Sequence, residues 1–107
     1  MTRWLLNSAV LASGAYGTYA YSPATSEDLK QFVAGTYTSR IGYDETVAYV
    51  ERMTGHRPVI SRDASPLEPG DEALVIRLKY RVQDPRTKGG VRPRDEDWEL
   101  AWLRRVT

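Results

Sequence analysis

From Glu72 to Val82 the chain alternates, with Leu74, Ile76, Leu78, Tyr80 and Val82 on one side and Ala73, Val75, Arg77, Lys79 and Arg81 on the other. A period of two is the period of a β-strand, so this stretch is predicted to be one. Its first side is apolar throughout and must be covered. Its second side passes from Ala73 and Val75 to three cations. Such a row is either an ordinary solvated face or the wall of an anion pocket, and the alternation does not separate the two.

A second constraint comes from Ser39 to Gly55, where a glycine turn runs into an amphipathic helix. Ile41, Val47, Val50 and Met53 fall close to one helical face, while Asp44, Glu45 and Glu51 keep the other side polar. Gly55 is a natural stop. The first turn of a helix carries unpaired backbone N–H groups and a partial positive charge, so an anion is the ligand that Gly42 and Tyr43 would favour. A capped surface turn would carry the same residues.

The remaining segments supply further elements. Arg3 to Leu11 is apolar on both alternating sets and is predicted to be a central strand buried on both faces, with Asn7 as a polar amide in its middle. Buried amides need partners, so Asn7 is either a satisfied structural residue or a ligand contact. Ser13-Gly14-Ala15 reads as a turn into a second strand, Tyr16 to Tyr21, forming a hairpin with the first. Ser22 to Glu27 holds helix-start chemistry, and Leu29, Phe32 and Val33 give the apolar stripe of a short helix before Gly35. Thr36 to Ser39 is a short extended piece, and Pro58 to Arg62 an edge strand, since Pro58 cannot donate to a ladder. Pro66, Pro69 and Gly70 mark a loop and turn. Gln83 to Arg94 is a polar loop, long enough to be a lid or plain disorder. Trp98, Leu100 and Trp102 alternate as a strand would, while Trp98, Ala101 and Trp102 also suit a helix; a strand is expected, with its tryptophans serving the core.

Composition limits what these elements can do. The 107 residues, 41% hydrophobic and 27% charged, suit one compact domain with a single core. A net charge of +1 gives little support for binding long nucleic acid, so any anion site must be local. Absence of cysteine excludes disulfides, thiolate catalysis and thiolate zinc sites, and fits a reducing cytoplasm. The apolar run near Arg3 is too short and too interrupted for a secretory signal, no segment is long enough to span a bilayer, and a soluble cytoplasmic protein is expected. His56 is the one histidine, and it lies beyond the helix end. Asp44, Glu45, Asp71 and Glu72 lack metal-loop spacing, and no phosphate loop or dinucleotide fingerprint occurs, so neither metal nor cofactor is expected. The chemistry left is a metal-free site built from a helix N-terminus, the strand bearing Arg77, Lys79 and Arg81, and Asn7.

The chain resembles the viral anti-CRISPR ring nucleases of type III systems over nearly its whole length. Four segments carry the resemblance: Leu5-Leu6-Asn7-Ser8-Ala9-Val10; Tyr16-Gly17-Thr18-Tyr19; Ile41-Gly42 followed by an acid, Thr46 and a helix closing at Gly55; and Glu68 to Leu78 with Arg81. It implies a small mixed α/β fold, a β-sheet flanked by helices in one domain spanning residues 1–107, and a two-fold homodimer. It also implies a cyclic tetra-adenylate messenger enclosed at the dimer interface and cut without a metal by attack of a ribose 2′-hydroxyl. Asn7, Ser8, Gly42, Arg77, Arg81 and Asp84 are the ligand-binding positions that the resemblance implies, with Arg77 and Asp84 carrying altered side chains.

Tyr43 stands where the family's catalytic histidine is expected, so Tyr43 and Arg81 are the catalytic candidates. A phenol ordinarily ionises near pH 10 and an imidazole near 6.5, so tyrosine is the more reluctant proton donor. Since general acid catalysis is worth about 10²–10⁴-fold, binding could persist while turnover is slow or absent. The expected function is therefore binding of a cyclic oligoadenylate that opposes type III CRISPR signalling, by slow cleavage or by sequestration. If virus- or prophage-encoded, the protein would act in the host cytoplasm. A non-enzymatic structural or protein-interaction domain is the competing class, and in it the Arg77, Lys79, Arg81 face would be plain surface.

Overall fold

A computed structural model describes residues 2–8, 14–61, 66–79 and 95–107 of the chain. Among the described residues five strands and two helices follow in the order β1 (Arg3–Leu6), β2 (Tyr19–Pro23), α1 (Ser26–Ala34), β3 (Thr38–Arg40), α2 (Asp44–Thr54), β4 (Glu72–Leu78) and β5 (Trp98–Arg105), with a 3-10 turn at Asp95–Asp97 leading into β5. They form a single α/β domain around one five-stranded sheet in the order β2-β5-β4-β1-β3. β1 is parallel to both of its neighbours, β3 and β4, whereas β5 runs antiparallel to β4 and to β2. The sheet is therefore mixed.

Both helices cover one face. Leu29, Phe32 and Val33 of α1 and Val47 and Val50 of α2 meet Leu5, Leu74, Ile76 and Trp98 in the main core. Burial of each such aliphatic side chain contributes about 1.5–3 kcal/mol. On the opposite face Leu67 closes over Ala73, Val75 and Leu103, with Trp4, Leu6 and Tyr19 at its margin. The alternation of β4 explains both layers: Leu74 and Ile76 point to the helices, Ala73 and Val75 to the second cluster, and all four are fully buried.

The helices start differently. Thr25 caps α1 by accepting from the Asp28 N–H at 3.1 Å, and Asp28 returns the bond by accepting from the Thr25 N–H at 2.9 Å. This reciprocal box satisfies two end donors. Accepting from Thr25 holds the Asp28 carboxyl below its ordinary value. α2 has Tyr43 at its N-cap, with no capping bond from the side chain, and ends at Gly55 in the left-handed region, φ 80°. Its C-terminus follows the glycine rule and its N-terminus does not follow the capping rule.

Several expectations change. The hairpin between the first two strands does not form: β2 lies at the far edge against β5, and its direction matches that of β1, which a tight turn cannot join. Both flanks of β1 are taken by β3 and β4. β1 is central, as expected, but ends at Leu6, so Asn7 comes after the strand rather than sitting in its middle; Ala9 to Leu11 lie outside the described residues. Ile41 belongs to a bridge with Ile60 ahead of α2, not to the helix, although it is fully buried in the same core. That single bridge is what the described part of Pro58 to Arg62 contributes to the sheet. The expected strand at Trp98 is present, with Trp98 stacked on Tyr49 at 4.8 Å and Trp102 edge-on to Phe32 at 5.9 Å. Tyr80, Val82 and the Gln83 to Arg94 loop lie outside the described residues.

Candidate functional site

The parallel strands β1, β3 and β4 end along one edge of the sheet. Leu6 lies level with Arg40 on one side and Val75 on the other, so the next residues of each strand share that edge. They are Asn7 and Ser8 after β1, Ile41, Gly42 and Tyr43 after β3, and Arg77 in β4. In open α/β sheets the crevice beyond the carboxyl ends of parallel strands is the usual ligand site. Four sequence candidates, Asn7, Ser8, Gly42 and Tyr43, come together here from two distant segments.

One hydrogen bond joins those segments. The Gly42 N–H donates to Asn7 Oδ1 at 3.3 Å, tying the end of β1 to the entry of α2. Among the described residues this is the bond that the Asn7 side chain makes. The tie is possible because β1 and β3 are neighbours in register, Leu6 level with Arg40, so Asn7 just after β1 and Gly42 just after β3 leave the sheet side by side. Immediately after, Tyr43 turns into α2 with 59% of its surface exposed. The site thus combines a helix N-terminus of partial positive charge, a primary amide and a solvent-facing phenol.

Arg77 is at the same edge but on the other face. The register sets it opposite Glu99, and its Nε lies 3.7 Å from Glu99 Oε1, with both side chains substantially exposed. Tyr21 donates its hydroxyl to the same carboxylate oxygen at 3.4 Å. The Tyr21 phenol is held above its ordinary pKa first by burial and further by Glu99, with Arg77 opposing. An exposed pair of this kind contributes little stability, and it leaves the face of Arg77 close to neutral at this point. Arg81 and Asp84 lie outside the described residues. His56 is at the opposite end of α2 from Tyr43. Among the described residues no group of three or more histidine, cysteine or acidic side chains could hold a metal, and no helix is long and apolar enough to cross a membrane.

Two further features went unread in the sequence. Arg40, the last residue of β3, is buried with its guanidinium 3.5 Å from the Trp4 ring centroid. Trp4 in turn donates its Nε1–H to Asp71 Oδ2 at 3.1 Å, and Asp71 also accepts from the N–H groups of Thr2 and Glu68, each at 2.9 Å. Burial pushes the Asp71 carboxyl up, but these donors outweigh it and hold the group below the usual carboxylate range. The set pins the start of β1 beside the start of β4, and through their shared register it also aligns the carboxyl ends of the two strands. The signal available was an acid directly after a Pro-Gly turn and ahead of a strand.

Known proteins share this fold. Residues 3–96 match the family described as STIV B116-like. B116 of Sulfolobus turreted icosahedral virus (STIV) superimposes with a TM-score of 0.71 over 97% of this chain and 99% of that one, at 19% sequence identity. At that identity the likeness establishes a shared fold. No curated protein sequence matches the chain. The family match spans residues 3–96 of the 107, well over half of the chain, and on that ground the chain belongs to the STIV B116-like family, which is named for a viral protein.

Proposed function

We propose that the protein binds a cyclic oligoadenylate messenger, with cyclic tetra-adenylate as the ring of choice, and thereby opposes type III CRISPR signalling in the host cytoplasm. The observation that carries the reading is the Gly42 N–H to Asn7 Oδ1 bond, which brings two segments of the ring-nuclease resemblance to one helix N-terminus beside an exposed tyrosine. A backbone donor end, an amide and a phenol suit a phosphodiester and its leaving oxygen. The small site on one domain is completed by a second copy, and the proposed unit is a two-fold homodimer enclosing one ring.

In the proposed reaction a ribose 2′-oxygen forms a bond to the adjacent phosphorus while the bond from phosphorus to the 5′-oxygen breaks. The 2′-hydroxyl proton leaves to water, and the 5′-oxygen takes a proton from the Tyr43 phenol, which water then restores. The products are linear, with a 2′,3′-cyclic phosphate at one end and a 5′-hydroxyl at the other. A phenol is a poorer match to this task than an imidazole, so binding outpaces turnover and the protein acts mainly by holding the ring.

Calorimetric titration of labelled cyclic tetra-adenylate, with subsequent separation of intact ring from linear product, tests the proposal. Saturable binding with slow or no product is expected. No heat and no retention of the ring at micromolar protein would remove the function.

A further inference from the structure

Resting on the ring-binding reading, we infer that Arg40 is a positioning residue: stacked on Trp4, it fixes the register of β3 on β1 and thereby the place of Gly42 and Tyr43 in the site. β3 has three residues, Thr38, Ser39 and Arg40, and none is apolar. Thr38 is exposed, Ser39 is half-buried, and Arg40 alone is buried. A strand that is polar on both faces specifies its register weakly, because no apolar row has to stay covered. Ile41 anchors the chain in the main core just past the strand. Within β3 itself, Arg40 is the side chain that packs on β1.

The direction of that side chain argues against a ligand contact. Leu6 is level with Arg40, and Trp4 lies two residues back along β1. The Trp4 Nε1–H donates at 3.1 Å to Asp71, which precedes β4 at the amino edge of the sheet. With its guanidinium carbon 3.5 Å from the Trp4 ring centroid, Arg40 therefore leans back toward that edge, away from Asn7 and Gly42. There the π-face of the indole meets its charge. The bond from the indole N–H to a carboxylate polarises the ring, which strengthens the face that the cation uses. A planar guanidinium suits such a stack better than a compact ammonium does.

Arg40, Trp4 and Asp71 thus form one brace, running from the amino edge of β1 to the exit of β3 two residues before Gly42. A β3 free to shift on β1 would carry Gly42 off the Asn7 oxygen that it bonds at 3.3 Å, and Tyr43 would move with it. A displacement of about 1 Å at a reacting group can cost about 100-fold in rate. Arg40 acts on the ring through this placement, not by touching it.

Hydrogen exchange by NMR on the full chain without ligand reads the brace separately from the ring. Arg40→Met keeps the stem and loses the charged plane, and Trp4→Leu removes the ring beneath it. Each is expected to speed exchange of the Gly42 amide by about 2- to 30-fold relative to the Ala101 and Leu103 amides of β5, and to weaken binding of cyclic tetra-adenylate. The double variant should do no more than either single one, because the two side chains act as a pair. Trp4→Phe, which leaves a ring under the guanidinium, should fall between the parent and Trp4→Leu. An unchanged Gly42 exchange ratio in both single variants, or losses that add in the double variant, would overturn the inference. So would Arg40→Lys binding the ring as the parent does while its Gly42 amide exchanges as fast as in Arg40→Met, since charge rather than placement would then be what the ring needs. If Arg40→Met or Trp4→Leu unfolds, the β5 amides reveal it, and Trp4→Phe and Arg40→Lys must then show faster Gly42 exchange for the inference to stand. A parent that binds no ring would count against the proposed function, whereas the exchange ratios judge the brace by themselves.

Discussion

Tyr43 holds two conflicting positions at once. As the N-cap of α2 it offers no short oxygen to the end N–H groups, yet as the exposed residue beside Gly42 it is the proton-bearing side chain set at the helix start. On the proposed function, that placement is what sets the phenol beside the leaving oxygen. Tyr43→His is accordingly expected to keep the fold and to accelerate ring opening, up to the scale of about 10²–10⁴-fold typical of general acid catalysis, in single-turnover assays at neutral pH. Tyr43→Phe should bind nearly as well as the parent and cut no faster; equal rates for all three proteins would take Tyr43 away from the chemistry. Asp71 makes the opposite case, a buried acid wholly engaged in structure. Its carboxyl is held low in the fold, so its stabilisation is present above the ordinary carboxylate pKa of about 3.9 and is lost as pH falls through the lower folded value. Asp71→Asn should therefore destabilise the protein at pH 7, and the gap in unfolding free energy from the parent should narrow steadily below about pH 4.

The two helices form a natural control for each other. Thr25→Ala removes the reciprocal cap of α1 and should cost about 1 kcal/mol in chemical denaturation. At α2 the sign reverses: Tyr43→Ser supplies a missing cap and should stabilise by a similar amount while weakening ring binding. If Tyr43→Ser instead destabilises, the phenol has a structural role that its exposure conceals. This contrast also shows how far the sequence could be read. A period of 3.6 found α1 and α2 because each has one covered side, and a period of two found β4 and β5 although β4 is buried on both faces from Ala73 to Ile76. Strand partners were harder: nothing in Tyr19-Ala20-Tyr21 states that it pairs with Arg105, Arg104 and Leu103 rather than with Trp4 and Leu5, since pairing is decided by which edges remain after parallel neighbours are filled. The candidate site was legible as separate residues, Asn7 and Gly42, but not as a bonded pair, because the contact depends on β1 and β3 being adjacent. Arg77 was read correctly as lying opposite the apolar side of β4, while its pairing with Glu99 depends on the β4–β5 register.

At the scale of the molecule, one domain with two helices on a single face of a mixed sheet gathers its candidate groups along the carboxyl edge of β1 and β3. A cyclic tetra-adenylate carries four phosphates around its rim, and one helix N-terminus with one amide and one phenol can engage a fraction of them. Two copies related by a two-fold axis would present two such sets to opposite sides of the ring, which is why ligand and dimer are proposed together. The most direct test is the mass and stoichiometry of the complex. Sedimentation or native mass measurement of the protein at micromolar concentration, with and without cyclic tetra-adenylate, should give a dimer of the 12.1 kDa chain that takes up one ring per two chains. A protein that stays monomeric in both conditions, or that fails to retain the ring, would contradict the account.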